Sequence, residues 1–336
     1  MDNNELPIGK PPIACYLHHV YPLTAAMLHK DFDSWLYSNY IQLQYCLAND
    51  TLNFFTYVIC GNSVYIPIID YKILDQEFLF MNHINIFDLI VNSIDMGYYV
   101  TTYADEFFVP ERNSYKSWHT RHEIMVFGYN LKEKFLKIIG YNNKGVYSKS
   151  TISFFEFEQS YISTISKKND VISFKAKDNM SYQSSFEFDV KNVKDLLQDY
   201  LFSRDTCDRL RIFGNPQSGL VYGIQIYKEI IKYCQSVITN NKDKCDRRIL
   251  HLLWEHKKVM VSRIEYLTKY GYINNSTELL NIYNELKETA LLLRNKFLKY
   301  NASNNKMLIE TTIDSLDLMY SQEKDAIEDL LDKLVI

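Results

Sequence analysis

The amino-acid sequence predicts an α+β protein with a mixed first half and a helical second half. Apolar residues make up 47% of the 336 residues, which is enough to fill a packed core. Short apolar runs of the β type are concentrated between residues 98 and 152. Beyond about residue 223, apolar residues instead recur at three- and four-residue spacing almost to the end of the chain, which predicts helices.

The composition and the charge pattern exclude several classes of function. The net charge is -4 with both signs interspersed, so no basic stripe offers a surface for nucleic acid. No apolar run approaches the length of a membrane span, and the first residues lack the cationic and apolar parts of a secretory signal. The six cysteines are widely spaced and form no CxxC pair. We therefore expect a cytoplasmic protein whose cysteines stay reduced.

The first half of the chain alternates between helical and strand patterns. Apolar spacing predicts a helix over residues 23–47 and a short amphipathic helix over 84–97, which ends at Gly97. Ser153, followed by Glu156 at the capping-box position, predicts the start of another helix. Between the last two helices, β-type runs predict four strands, over residues 98–109, 122–129, 135–141 and 148–152.

The rest of the chain is predicted to be helical apart from one hairpin over residues 171–190. A helix over 192–203 precedes a connecting loop, and successive amphipathic helices follow it. We expect three segments: a core over residues 1–165, a hairpin and connecting segment over 166–222, and a helical C-terminal region over 223–336.

The strongest catalytic signal lies between residues 105 and 144. His122 stands at the start of an apolar strand, a tight turn follows that strand, and Asn142 stands at the end of the next one. In papain-like enzymes the first strand holds an imidazole beside a cysteine sulfur, and an amide or carboxylate on the neighbouring strand fixes the ring. We predict these roles for His122 and Asn142, although the run Asn-Asn-Lys-Gly is equally typical of a simple turn.

Cys15 best fits the nucleophile, because papain-like enzymes carry their cysteine early in the chain and before a helix. A thiol near a helix N-terminus and an imidazolium has a lowered pKa. Pro22 predicts that a helix starting near Cys15 is short or broken. Cys46 falls in a predicted helix and Cys60 in a predicted strand, so we interpret both as packing residues.

The chain from residue 17 to about residue 161 resembles papain-like proteins with a domain like the N-terminal part of butirosin biosynthesis protein H. The resemblance implies a papain-like cysteine-enzyme core followed by a helical region, and transfer of an acyl group from a carrier-protein thioester to cysteine and then to an amine. It assigns the catalytic roles to Cys15, His122 and Asn142. Such domains often carry Asp at the third position, and Asn supplies no negative charge. The matching segments are YLHHVYPLT (16–24), WLYSNYIQL (35–43), DEFFVPERNSY (105–115), HTRHEIMVFGYN (119–130), IIGYNNKG (138–145) and STISFFEFEQSY (150–161).

Six more residues are weaker candidates for substrate binding. His119 is a rival for the role of base, and the pair Asp105-Glu106 suits either a substrate amine, a metal ion or a solvated acidic surface. Arg112, together with Lys116 and Arg121, suits a phosphopantetheine phosphate or an acidic carrier protein, with a solvated loop as the alternative. The six candidates are His18, His19, Asp105, Glu106, Arg112 and His119.

The predicted function is that of an amide-forming cysteine acyltransferase. Its expected partners are a phosphopantetheinylated carrier protein and a small amine, with no nucleic acid and no membrane. A papain-like hydrolase, either a thioesterase or a peptidase, would use the same residues, and a non-catalytic protein that binds a carrier protein or a peptide is the other alternative. The sequence contains no Gly-rich phosphate loop and no zinc-type histidine pair, so we expect neither a cofactor nor a metal.

Overall fold

The computed structural model describes residues 2–58, 63–165, 169–178, 185–211 and 214–335. Its helices are α1 Leu17–Ala26, α2 Phe32–Asn39, α3 Gln76–Met81, α4 Ile86–Asp95, α5 Phe154–Ile162, α6 Val190–Leu201, α7 Ile226–Thr239, α8 Arg247–Lys269, α9 Thr277–Ser303 and α10 Met307–Lys333. Its strands are β1 Asn3–Glu5, β2 Leu43–Cys46, β3 Thr51–Phe54, β4 Ile69–Asp75, β5 Tyr99–Asp105, β6 Arg121–Asn130, β7 Phe135–Tyr141, β8 Tyr147–Ser153, β9 Asp170–Ala176 and β10 Leu220–Tyr222. The α+β class is confirmed.

The chain divides into two compact units. The first comprises residues 1–32 and 58–185, and the second comprises residues 33–57 and 186–336. This division does not follow the predicted boundaries at 165 and 222. Residues 33–57 leave the first unit because β2 pairs with β3 and with β10, which lies far along the chain.

The first unit is built on an antiparallel sheet with the strand order β4-β9-β5-β6-β7-β8. β1 also pairs with β6, and this pairing depends on Gly128, where a side chain would lie 2.7 Å from the carbonyl oxygen of Asn4. The strands predicted over residues 98–109, 122–129, 135–141 and 148–152 correspond to β5, β6, β7 and β8, although β5 already ends at Asp105. β9 is the first strand of the predicted 171–190 hairpin, of which residues 179–184 lie outside the described ranges.

One face of this sheet carries a closed apolar core. α4 and α5 cover it with residues such as Ile90 and Phe157, which pack with Val100, Ile124 and Ile138 of the sheet. Burial of each such side chain stabilises the fold by about 1.5–3 kcal/mol.

The caps of the two covering helices agree with the sequence. Ser153 and Glu156 form the predicted capping box of α5. Gly97, with φ at 83°, follows the end of α4, where a left-handed backbone favours glycine.

The ladder between β6 and β7 ends before either strand does. Its last pair is Met125↔Ile139, although β6 reaches back to Arg121 and β7 continues to Tyr141. Over these same residues, β6 stays paired with β5 on its other side, up to Asp105↔Arg121, and β7 stays paired with β8, up to Tyr141↔Tyr147. The sheet is therefore split locally at the end that carries the start of β6.

The helix predicted over residues 23–47 is wrong in its second half. The chain forms α1 and α2 and then enters β2, whose residues alternate between buried and half-buried positions. Leu43 and Tyr45 are buried, whereas Gln44 and Cys46 are half-buried, which is the two-residue period of a strand. Tertiary pairing with β3 selects this period over the helical spacing.

The second unit surrounds a fully buried polar network. Glu323 of α10 forms an ion pair with Lys257 of α8 and accepts hydrogen bonds from Tyr200 at 3.1 Å and Tyr227 at 2.8 Å. Lys257 also lies 3.0 Å from Nδ1 of His256, whose Nε2 lies 2.8 Å from the carbonyl oxygen of Ile41. Burial and the adjacent ammonium lower the pKa of His256, so the neutral ring that accepts from Lys257 is favoured.

Removing one partner of this network should be costly. We expect Glu323→Ala to lower the free energy of unfolding by about 3–5 kcal/mol, because it leaves the Lys257 ammonium buried without its counter-charge. Urea unfolding curves would measure the loss. Lys257→Met combined with Glu323→Met should cost less than the sum of the two single changes.

Glu328→Ala is the matched control, since its pair with Lys324 at 3.8 Å is half exposed and worth about 1 kcal/mol at most. Equal losses at positions 323 and 328 would contradict this account.

Candidate active site

Cys15 lies two residues before the N-terminus of α1. Tyr16 is the extended N-cap residue of that helix, and the side chain of Cys15 is largely buried. The hydroxyl of Tyr141, the last residue of β7, donates a hydrogen bond to the carbonyl oxygen of Ala14. The chain just before Cys15 is thus attached to the split end of the sheet.

The helix that follows Cys15 is not broken by Pro22, contrary to the prediction. α1 runs from Leu17 through Pro22 to Ala26, and nine of its ten residues are buried. Packing of the whole helix offsets the hydrogen bond that proline cannot donate.

His122 is the second residue of β6, and its ring meets a carboxylate. Glu106 belongs to the short 3-10 helix that follows β5, and its Oε1 lies 2.8 Å from Nδ1 of His122. Glu106 also accepts from the Ser114 hydroxyl at 3.1 Å. Burial acts to raise the pKa of Glu106, but the contacts with His122, Ser114 and Arg112 outweigh it, and the pKa lies below its ordinary value. With Nδ1–H donating to this carboxylate, Nε2 is the ring nitrogen that can accept a proton.

His119, the rival base, has a carboxylate partner of its own. Its Nδ1 lies 2.6 Å from Oδ2 of Asp105, and its ring stacks on Phe107 with centroids 4.4 Å apart. Asp105 is buried and also accepts the backbone N–H groups of Phe107 and Thr120. The two carboxylates thus make separate contacts with two histidines, and their burial contradicts the predicted alternative of a solvated acidic surface.

Asn142 belongs to the turn between β7 and β8. Its Oδ1 accepts the backbone N–H groups of Lys144 and Val146, each at 3.0 Å, and its Nδ2 donates to Ser148 at 3.1 Å. The predicted hydrogen bond from His122 to Asn142 is therefore not the one observed, since Glu106 takes that place. The side chain of Asn142 is used to close the turn.

Arg112 is buried rather than solvated, and it lies at the split in the sheet. Its Nε is 4.0 Å from Oε1 of Glu106. Gly140 of β7 leaves room for the guanidinium, because a side chain there would lie 2.9 Å from Nη2. The sequence left two alternatives for Arg112, a contact with a phosphate or an acidic carrier protein and a solvated loop, and burial of the side chain rules out the second.

Tyr21 of α1 reaches into the same split, a role that the sequence did not indicate. Its hydroxyl donates a hydrogen bond to the carbonyl oxygen of Ile139 at 2.9 Å, and the backbone carbonyl oxygen of Glu123 lies 3.4 Å from the same hydroxyl. These carbonyl groups lie where the ladder between β6 and β7 has ended, so the hydroxyl replaces a missing strand partner. A tyrosine in an apolar helix belongs to no sequence pattern from which such a contact could be predicted.

The two remaining candidates, His18 and His19, lie in the first turn of α1. His19 is fully buried, and its ring lies 4.3 Å from that of His18, which stacks on Tyr16 at 5.4 Å. These are packing contacts within one helical turn. The observed site thus joins Glu106, Arg112 and His122 with Tyr21, at the sheet end to which the chain before Cys15 is attached.

Comparisons with known proteins add no family to this description, since neither a protein-family model nor a curated protein matches the chain. Among the described residues, no three side chains of the His, Cys, Asp and Glu types converge as a metal site would require. In the same part of the chain, none of the helices combines the length and apolar character needed to span a membrane.

The Glu106 carboxylate should make stability depend on pH. The pKa of Glu106 in the folded protein is lower than its ordinary value of 4.5. The ionised carboxylate therefore stabilises the fold at pH values above 4.5, and this stabilisation is lost as the pH falls through the pKa of the folded state. We expect Glu106→Gln to destabilise the protein above pH 4.5 and the difference from wild type to shrink below it, in urea unfolding at several pH values. Glu133→Gln, on an exposed turn, is the control. A difference that persists unchanged in acid would contradict the assignment.

Proposed function

We propose that this chain is a cysteine-dependent acyltransferase that forms an amide from a carrier-protein thioester through an S-acyl intermediate on Cys15. The observation that carries the proposal is the contact between His122 and Glu106, at the end of the sheet to which Tyr141 attaches the chain beside Cys15. A histidine oriented by a carboxylate can act as the base for a thiol, and Cys15 precedes a helix as an activated thiol often does. The resemblance to butirosin biosynthesis protein H supports the same reaction.

The reaction divides into two acyl transfers with balanced proton movements. Nε2 of His122 takes the proton from the thiol of Cys15, and the sulfur attacks the thioester carbonyl. The bond to the pantetheine sulfur breaks, and that sulfur leaves with the proton from His122. An amine then attacks the S-acyl carbonyl, His122 accepts a proton from its nitrogen, and the bond to the Cys15 sulfur breaks as the amide forms. The proton on His122 returns to this sulfur and restores the thiol.

Glu106 suits this cycle better than the predicted Asn142. An amide oxygen and a carboxylate can each accept a hydrogen bond from Nδ1–H, but only a carboxylate also stabilises the imidazolium that exists between the two proton transfers. The nearby guanidinium of Arg112 favours the ionised form of Glu106. The charged Arg112–Glu106–His122 chain is therefore consistent with a general base.

A carrier protein is the proposed acyl donor, and a small amine is the proposed acceptor. Lys116 and Arg121 are exposed beside the site, with the guanidinium of Arg121 4.0 Å from the ring centre of Tyr103. Exposed cations of this kind suit the acidic surface of a carrier protein or the phosphate of its prosthetic group. A hydrolase would use the same residues with water as the acceptor.

A non-catalytic binding protein is the second candidate, and two observations favour it. The residue Cys15 is only 7% exposed, which limits its access to a thioester. In addition, strand alternation puts the side chain of His122 on the sheet face of Ile124, whereas that of Tyr141 lies on the opposite face with Glu123. Reactivity of the thiol separates the two candidates.

The first test is the reactivity of Cys15. Burial raises the pKa of Cys207 to about 11 and those of Cys234 and Cys245 to about 12, so these thiols should alkylate slowly with iodoacetamide at neutral pH. The acyltransferase proposal expects fast alkylation at Cys15 and an acyl mass adduct after incubation with acyl-loaded carrier protein, both detected by mass spectrometry.

The matched controls are two cysteine substitutions. Cys15→Ala should abolish the adduct and turnover while the fold remains, and Cys46→Ala should keep both. Uniformly slow alkylation with no adduct would favour the binding protein, and full activity in Cys15→Ala would remove Cys15 from the mechanism.

The second test compares the two histidines. His122→Ala should lower the rate of adduct formation by about 10²–10⁴-fold, the range expected when a general base is lost, and His119→Ala should cost much less. Glu106→Gln should fall between wild type and His122→Ala, since it keeps a hydrogen-bond acceptor but loses the charge. Single-turnover rates with acyl-loaded carrier protein would measure all three. A larger loss at position 119 would assign the base to the contact between His119 and Asp105.

A further inference from the structure

Arg112 carries hydrogen-bonding capacity that its surroundings do not use. Its side chain is only 2% exposed. Both Nη1 and Nη2 are buried, and neither has a hydrogen-bond partner within the described ranges. A guanidinium offers five N–H groups, and burying them without acceptors is unfavourable, the more so because the group is charged.

Glu106 does not satisfy this cation. It lies nearest the Nε edge of the guanidinium, at 4.0 Å, which is longer than a hydrogen bond. Its Oε1 is already held by His122 and its Oε2 by Ser114. The edge formed by Nη1 and Nη2 therefore has two donors that no protein carboxylate takes up among the described residues.

The split in the sheet brings this edge together with a second polar group. A methyl group at Gly140 would lie 2.9 Å from Nη2 and 3.3 Å from the hydroxyl of Tyr21, so both groups converge on one backbone position that has no side chain. The parallel N–H groups of an arginine edge match the two oxygens of a carboxylate in a bidentate arrangement, which is the strongest neutralising contact open to this cation.

We propose that Arg112 is a recognition site for a substrate carboxylate. Glu106 lies between Arg112 and His122, so such a carboxylate would bind one edge of the guanidinium while the Glu106–His122 contact faces another. Assigning the carboxylate to a substrate rests on the proposed function, and two sources fit it. The amine acceptor is then an amino acid, or the acyl group itself ends in a carboxylate.

Binding of small probes tests the site without any need for turnover. We expect propionate and glycine, which carry a carboxylate, to raise the thermal unfolding midpoint of the wild-type protein, and glycinamide to leave it unchanged. Tighter binding of glycine than of propionate would assign the carboxylate to the amine acceptor, and the reverse order would assign it to the acyl group. No response to either carboxylate would overturn the proposal.

Two arginine variants localise the response. Arg112→Gln should weaken carboxylate binding by at least about tenfold, the loss of one charge-assisted hydrogen bond or more. Arg247→Gln removes an exposed guanidinium at the start of α8 and should bind like the wild type. An equal response in Arg112→Gln and the wild type would place the carboxylates elsewhere and overturn the site.

A further variant covers the case in which Arg112→Gln does not fold. Gly140→Ala keeps the guanidinium but places a methyl group against Nη2, so it should also lose the carboxylate response. If Gly140→Ala folds and binds carboxylates like the wild type, the proposal fails. The mass adduct on Cys15 is an independent measurement: binding without an adduct would refute the acyltransferase, and an adduct without binding would refute only the carboxylate site.

Discussion

The early end of the hydrogen-bond ladder between β6 and β7 is the constraint on which the candidate site depends. Where two strands separate inside a sheet, their carbonyl and N–H groups need other partners. Tyr21 supplies a donor from α1, and Arg112 occupies the space over Gly140. A purely continuous sheet would exclude both side chains, and the start of β6 would then carry His122 on an ordinary strand.

The turn at the end of β5 gives two adjacent acids two different tasks. Asp105 is the last residue of β5, and Glu106 opens the 3-10 helix that follows. The change in backbone direction between them sends one carboxylate to His119 and the other to His122. Each histidine thus has its Nδ1 fixed, and the carboxylate that contacts His122 also lies 4.0 Å from the guanidinium of Arg112.

Buried charge is organised differently in the two units. In the second unit, Glu323 meets Lys257 and two tyrosine hydroxyls, so the carboxylate has several donors and the network is largely satisfied. In the first unit, Arg112 keeps two donors without acceptors among the described residues. A satisfied network is what a structural role requires, whereas an unsatisfied cation beside a carboxylate–histidine contact is typical of a site that binds something else.

The sequence predicts the α+β class, the strand that carries His122, the strand that precedes Asn142, the capping box at Ser153 and the long C-terminal helices, because these follow from local periodicity and capping chemistry. It did not determine that residues 43–46 pair as a strand, since helical and strand spacing overlap in a short apolar run. The partner of His122 was also beyond its reach. Local turn chemistry holds Asn142, and the contact with Glu106 arises because β5 and β6 are neighbours, which only tertiary pairing decides. Burial of Arg112 depends in the same way on an absent side chain at Gly140, 28 positions away in a strand whose place in the sheet no local pattern records.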